Sequence, residues 1–220
     1  MCIRDSTNSG GVDALTISGA SFSNSAGGDH LQMSASGTAN LKLVVNAGAG
    51  NTSFSGTGQD GIQLGAQGSA TFQALITQAT FTGTLGSPVN MSTAGNGHLI
   101  ARVYNLTGLT STDTNVINMI GFDTSFIEAT VENNTITSAT SGNGIRVIQE
   151  GNGTVTANLA NNTVNGITQG NGILVQGRAG TGGNGLINAT ISGNSVTTTG
   201  LLSLDGIAVT SGSSAGTDTN

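Results

Sequence analysis

Tryptophan is absent from the 220 residues, tyrosine and proline occur once each, and only 7% of residues are charged. Aromatic platforms for stacking sugars are therefore not available in number, and any carbohydrate contact has to come from amides, hydroxyls and loops. Lys42 is the one lysine in a chain of formal net charge −6. Nucleic acid is excluded as a partner on this ground, because counterion release requires clustered Lys and Arg. Cys2 is the one cysteine, so neither a disulfide framework nor a cysteine-rich metal site can form. No apolar run approaches the roughly 20 residues of a membrane span, and no secretory signal pattern is visible. Membrane anchoring is expected only through regions flanking the sequence.

What the chain has in excess is glycine, 36 residues of it, together with Ser, Thr and Asn. These surround short segments in which apolar and polar residues alternate with period two, the mark of strands with one buried face. Leu99-x-Ala101-x-Val103, Ile127-x-Ala129-x-Val131, Val155-x-Ala157-x-Leu159 and Ile187-x-Ala189-x-Ile191 share one pattern. Phe72-x-Ala74-x-Ile76, Leu41-x-Leu43-x-Val45 and Leu15-x-Ile17 extend it upstream. A second pair follows each copy, as in Ile62/Leu64, Val89/Met91, Ile117/Met119, Ile145/Val147 and Ile173/Val175. Both columns repeat at about 28 residues, the signature of a solenoid. A propeller blade needs about 40 residues or more; about 28 suit a coil of three short strands. Seven coils follow.

Stacked coils place like residues above one another about 4.8 Å apart, so each column carries a physical expectation. Ile17, Val45, Ile76, Val103, Val131, Leu159 and Ile191 form an inward aliphatic stack. Three residues beyond it, Asn134, Asn162 and Asn194 are expected at a bend, in the left-handed conformation that Asn tolerates, as a hydrogen-bonded structural ladder. Gln32, Gln63, Asn90 and Asn118 lie between paired apolar positions and are expected to form an outward amide row, continued by Arg146, Leu174 and Ala208.

The run Ala129-Thr-Val-Glu-Asn-Asn-Thr-Ile136 followed by Gly144-Ile-Arg-Val147, echoed by Ala189 to Val196 and Gly206 to Val209, resembles the repeats of pectate-lyase-like parallel β-helices. It is also similar to the passenger regions of autotransporters and secreted adhesins. The resemblance implies an all-β fold, a right-handed single-stranded parallel β-helix of about seven coils spanning residues 13–214. Residues 1–12 are expected to be a leader outside the repeats, and 215–220 a loop leading to a further coil. The same resemblance implies a secreted or cell-surface location in a bacterium and an extracellular structural or adhesive scaffold, part of a larger protein, with carbohydrate or a host surface as partner. Polysaccharide lyases, glycoside hydrolases and phage tailspikes acting on acidic polysaccharide share the repeat and form the alternative.

Residue chemistry gives the alternative little support. Two carboxyls about 5 to 9.5 Å apart serve glycoside hydrolysis, but Glu128 and Glu132, four residues apart on one strand, stand about 13 Å apart. Asp60 and Asp205 occupy the place that Asn143 and Asn171 hold elsewhere, which reads as turn structure. Arg102, Arg146 and Arg178 could act as bases or sugar-acid clamps, yet no Asp cluster accompanies them. Glu150 is expected to stack on Arg178, and Arg102 to reach Glu128. His30 and His98 are expected at solvated turns, in different parts of the coil. No catalytic, cofactor-binding or metal-ligating set emerges, and no cofactor is expected.

Overall fold

The computed structural model describes residues 2–4, 12–23, 27–56, 58–179 and 185–213. The chain winds as an all-β parallel solenoid, with every strand pair parallel and partners separated by about one 28-residue turn. Three faces result. The first is an eight-stranded sheet made of β1 (Cys2–Arg4), β4 (Leu31–Ala35), β7 (Ile62–Ala66), β10 (Val89–Thr93), β13 (Ile117–Asp123), β16 (Ile145–Gly151), β19 (Ile173–Ala179) and β22 (Ile207–Ser213). The second, seven-stranded, holds β2 (Val12–Ser18), β5 (Asn40–Asn46), β8 (Thr71–Thr77), β11 (His98–Tyr104), β14 (Phe126–Glu132), β17 (Thr154–Ala160) and β20 (Leu186–Ser192).

The third face divides into two sheets. One is three-stranded, of β3 (Ser21–Ser23), β6 (Thr52–Ser55) and β9 (Ala79–Thr82); the other is four-stranded, of β12 (Leu109–Ser111), β15 (Thr135–Ala139), β18 (Thr163–Gly170) and β21 (Ser195–Ser203). A single bridge, Thr80 to Thr107, links the two. About six turns thus separate the first and last strands of the seven-stranded sheet. Cys2–Arg4, which lie within the expected leader, pair with Gln32–Ser34 and so extend the first face.

The register of the repeated columns follows the like-on-like rule. Leu99, Ala101 and Val103 sit opposite Ile127, Ala129 and Val131, and these opposite Val155, Ala157 and Leu159. All nine are buried. Each fully buried Val, Leu or Ile contributes about 1.5–3 kcal/mol relative to exposure, and the β-branched Val103, Ile127, Val131 and Val155 suit the pleat. Ala101, Ala129 and Ala157 face the interior. Inside the three-stranded sheet, Phe22, Phe54 and Phe81 stack with ring centroids 4.9 and 4.8 Å apart and nearly parallel planes.

The corners are where the structure departs from the sequence reading. Asn134, Asn162 and Asn194 form a ladder, but they do not adopt the left-handed conformation. That role belongs to the residue before them, at Gln78, Asn105, Asn133, Asn161 and Gly193, with φ of 52, 57, 56, 55 and 62°. The left-handed residue turns the chain, and the next side chain then points inward; Asn134 and Asn162 are buried. The Asn134 amide nitrogen donates to Val103 O at 3.0 Å and to Asn162 Oδ1 at 2.9 Å. Asn162 repeats this toward Val131 O and Asn194 Oδ1, at 2.8 and 2.9 Å. At the upper end Leu106 N–H donates to Asn134 Oδ1 at 3.0 Å.

A second ladder runs along the corner before the eight-stranded sheet. Asn143 donates through its backbone and side-chain nitrogens to Asn115 Oδ1, at 2.9 and 2.7 Å, and Asn171 does the same to Asn143 Oδ1. Asp205 N–H closes the series on Asn171 Oδ1 at 3.0 Å. Asp29 and Asp60 fill this position in earlier coils, with Asp60 N–H on Asp29 Oδ1 and Ser87 N–H on Asp60 Oδ1 at 2.7 Å. Here each backbone N–H donates to the preceding coil, whereas in the first ladder it donates to the following one.

Candidate functional site

The side chains that repeat are consumed in holding coil to coil, so a site has to be sought among outward positions that do not repeat. The amide row is the first of these. Gln32 donates to Gln63, but the row breaks there. Asn90, although in register with Gln63, turns its Nδ2 to Asp60 Oδ2 at 2.7 Å. Asn118 Nδ2 then donates to Asn90 Oδ1 at 2.9 Å, and Arg146 donates to Asn118 Oδ1 at 3.0 Å. Every link points the same way, from the guanidinium at one end to the carboxylate at the other. Charge at both ends favours that alignment. Asp60 is buried, and desolvation pushes its carboxyl above the ordinary aspartate value, while the bonds from Asn90 and Ser87 oppose the rise and the Asp29 carboxylate adds to it.

Several other charged side chains have partners of their own. Glu128, which the register sets beside Ile100 and so midway between His98 and Arg102, bonds His98 Nε2 at 2.9 Å and not Arg102. Glu150 lies 3.9 Å from Arg146. Its backbone partner is Arg178, whose side chain lies outside the described residues. Glu132 accepts a bond from Asn158 Nδ2 at 2.6 Å. His30 is buried, not solvated as its turn position suggests: its Nε2 lies 2.9 Å from Ser55 O, its Nδ1 3.3 Å from Asp60 O, and its ring meets the edge of Phe54. No group of three or more His, Cys, Asp or Glu side chains converges among the described residues.

One concavity on the second face brings unlike side chains together. Lys42 of β5, Gln73 and Leu75 of β8, Ile100 and Arg102 of β11, and Glu128 of β14 line a groove of about 350 Å³. That volume lies at the lower end of the range for small-molecule sites. Two adjacent outward columns make it. Lys42, Gln73, Ile100 and Glu128 succeed one another in register, and Leu75 pairs with Arg102 in the next column. Alternation along each strand turns these residues outward while Leu43, Ala74, Ala101 and Ala129 turn in. The floor is aliphatic, at Leu75 and Ile100, and the rim carries two cations, an amide and a carboxylate.

The groove was hidden in the sequence because its columns are irregular. Val44, Leu75, Arg102 and Thr130 follow one another, and a column without a repeated residue type offers no pattern to detect. The usable signal is that irregularity itself, together with the concentration of two of the five Lys and Arg residues on one face. Neither protein-family models nor curated proteins nor solved structures yield a match to this chain.

Proposed function

We propose that this chain is a structural and adhesive β-solenoid scaffold, displayed outside a bacterial cell or on its surface, that presents one face for recognition. The observation carrying this reading is the division of labour among its side chains. Repeating positions are committed to the core and to inter-coil hydrogen bonds, and the non-repeating ones gather around an open groove. A lengthwise stack with a single cysteine and few charges suits a rigid display element whose stability comes from stacking.

Hydrolytic or lyase chemistry finds less support. Glu128 and Glu132 stay about 13 Å apart on one strand, each with its own neighbour as partner. Immobilised glycans and whole cells incubated with the purified chain provide the test. Saturable retention without release of new reducing ends or unsaturated products is expected. Product release that depends on the groove carboxylate Glu128 would overturn the scaffold reading in favour of an enzyme.

A further inference from the structure

Lys42 and Arg102 are both exposed, and neither forms an ion pair among the described residues. Cations left without counter-charges on an acidic protein mark a place where an anion is favoured. They stand on β5 and β11 with β8 between them, about 10 Å apart across the sheet and about 7 Å along it. Side chains of that length can converge from both sides over Gln73 and Leu75. The guanidinium offers a planar fork and the ammonium a compact charge, a pairing suited to a carboxylate or sulfate. Gln73 supplies a donor and an acceptor for hydroxyls, and Leu75 and Ile100 offer an aliphatic surface to a C–H face.

At the other end of the groove Glu128 changes the demand. Its carboxylate is held by His98 at 2.9 Å, so it stays in place and repels a second anion. A ligand with a charge on every unit would set one of them against it. The groove is open and runs across four strands, which leaves room for a linear ligand continuing along the solenoid.

Resting on the scaffold reading above, we infer that this groove binds a linear glycan in which an anionic sugar, held between Lys42 and Arg102, is followed by a neutral unit beside Glu128. Carboxylate and sulfate share the chemistry that would hold the anion.

Isothermal titration of the full chain tests this with three tetrasaccharides: one alternating uronate and N-acetylhexosamine, its sulfated counterpart, and a neutral chito-oligosaccharide. The two anionic probes should bind saturably and the neutral one should not; the tighter of the two identifies the anion. Lys42→Ala and Arg102→Ala should each weaken binding about tenfold or more, with Arg102→Lys recovering part of the loss and added salt weakening the parent. Glu128→Gln should let a fully charged uronate tetrasaccharide bind as well as the alternating one. Unchanged melting temperatures separate these effects from unfolding. Affinity indifferent to both cation substitutions, or no saturable binding of either anionic probe, overturns the inference. If retention on cells persists in Lys42→Ala and Arg102→Ala, the ligand assignment falls and the scaffold reading stands; if the parent is retained on no surface, both fall.

Discussion

Two neighbouring asparagines can have opposite structural duties, as Asn133 and Asn134 show. Asn133 is exposed and left-handed, with φ of 56°, so its value lies in its backbone. Asn134 is buried, and its value lies in its amide. The sequence marks the doublet but not which member turns, because both positions favour Asn for different reasons. Substitution separates them. Asn133→Gly should leave stability within a few tenths of a kcal/mol, since Gly accepts positive φ without strain. Asn162→Ala, in the middle of the ladder, should cost about 1–3 kcal/mol: it leaves the buried Asn134 N–H without its acceptor and removes the side-chain bonds to Val131 O and Asn194 Oδ1. Urea unfolding, read as a lower midpoint at unchanged slope, measures both.

Asp60 yields a pH dependence of definite sign at the same scale. Burial raises its carboxyl above the ordinary aspartate value, so between that value and the raised one the folded chain holds the proton more tightly than the unfolded chain does. Its contribution is therefore complete below the ordinary aspartate value and is lost as pH climbs through the raised one. Paired unfolding curves of the parent and Asp60→Asn, over about pH 3 to 7, should show the parent's advantage greatest at the acid end and shrinking as pH rises. An advantage that grows with pH would contradict the burial of this carboxyl as the dominant influence.

At the scale of elements, strand positions were legible because alternation and the 28-residue interval report the same faces, as the pairing of Leu99–Val103 with Ile127–Val131 shows. The glycine before four of the first-face strands, at Gly61, Gly144, Gly172 and Gly206, was visible too, in the recurring Gly-Ile step, but its reason lies in the corner. A Cβ on Gly144 would stand 2.5 Å from Val164 Cγ1 and 2.6 Å from Gly172 O. Gly61 has Phe81 and Pro88 O in the same places. The chain passes between the third face and the next coil with no room for a methyl group. Gly144→Ala should cost about 1–3 kcal/mol by overpacking, whereas Gly50→Ala, where a Cβ meets nothing within 4 Å, should be neutral. Thermal melting of the two variants side by side tests the distinction.

Over the whole molecule each coil touches only its neighbours, so protection should follow how completely a coil is covered. Leu99, Ile127 and Val155 are fully or almost fully buried, while Ile207 and Val209, in the corresponding inward role on β22, are 45% and 54% exposed. Hydrogen exchange followed by mass spectrometry should therefore show the amides of β11, β14 and β17 exchanging slowest and those of β20 to β22 far faster. Uniform protection from β11 through β22 would indicate that stability is not passed between nearest neighbours.

The sequence by itself determined the period, the inward columns, the parallel stacking and the column of Asn134, Asn162 and Asn194, because each of these depends on a residue being set above its like one coil away; the second ladder, through Asn115, Asn143 and Asn171, came from the structure. Only the tertiary structure decided which asparagine turns the corner, that His30 is enclosed while His98 holds Glu128, that the amide row breaks between Gln63 and Asn90, and that Lys42, Gln73, Arg102 and Glu128 share a groove. Those outcomes depend on side chains reaching across columns, between residues about 26 to 60 or more apart in the chain that share no pattern. Periodicity reports what repeats, and recognition is built from what does not.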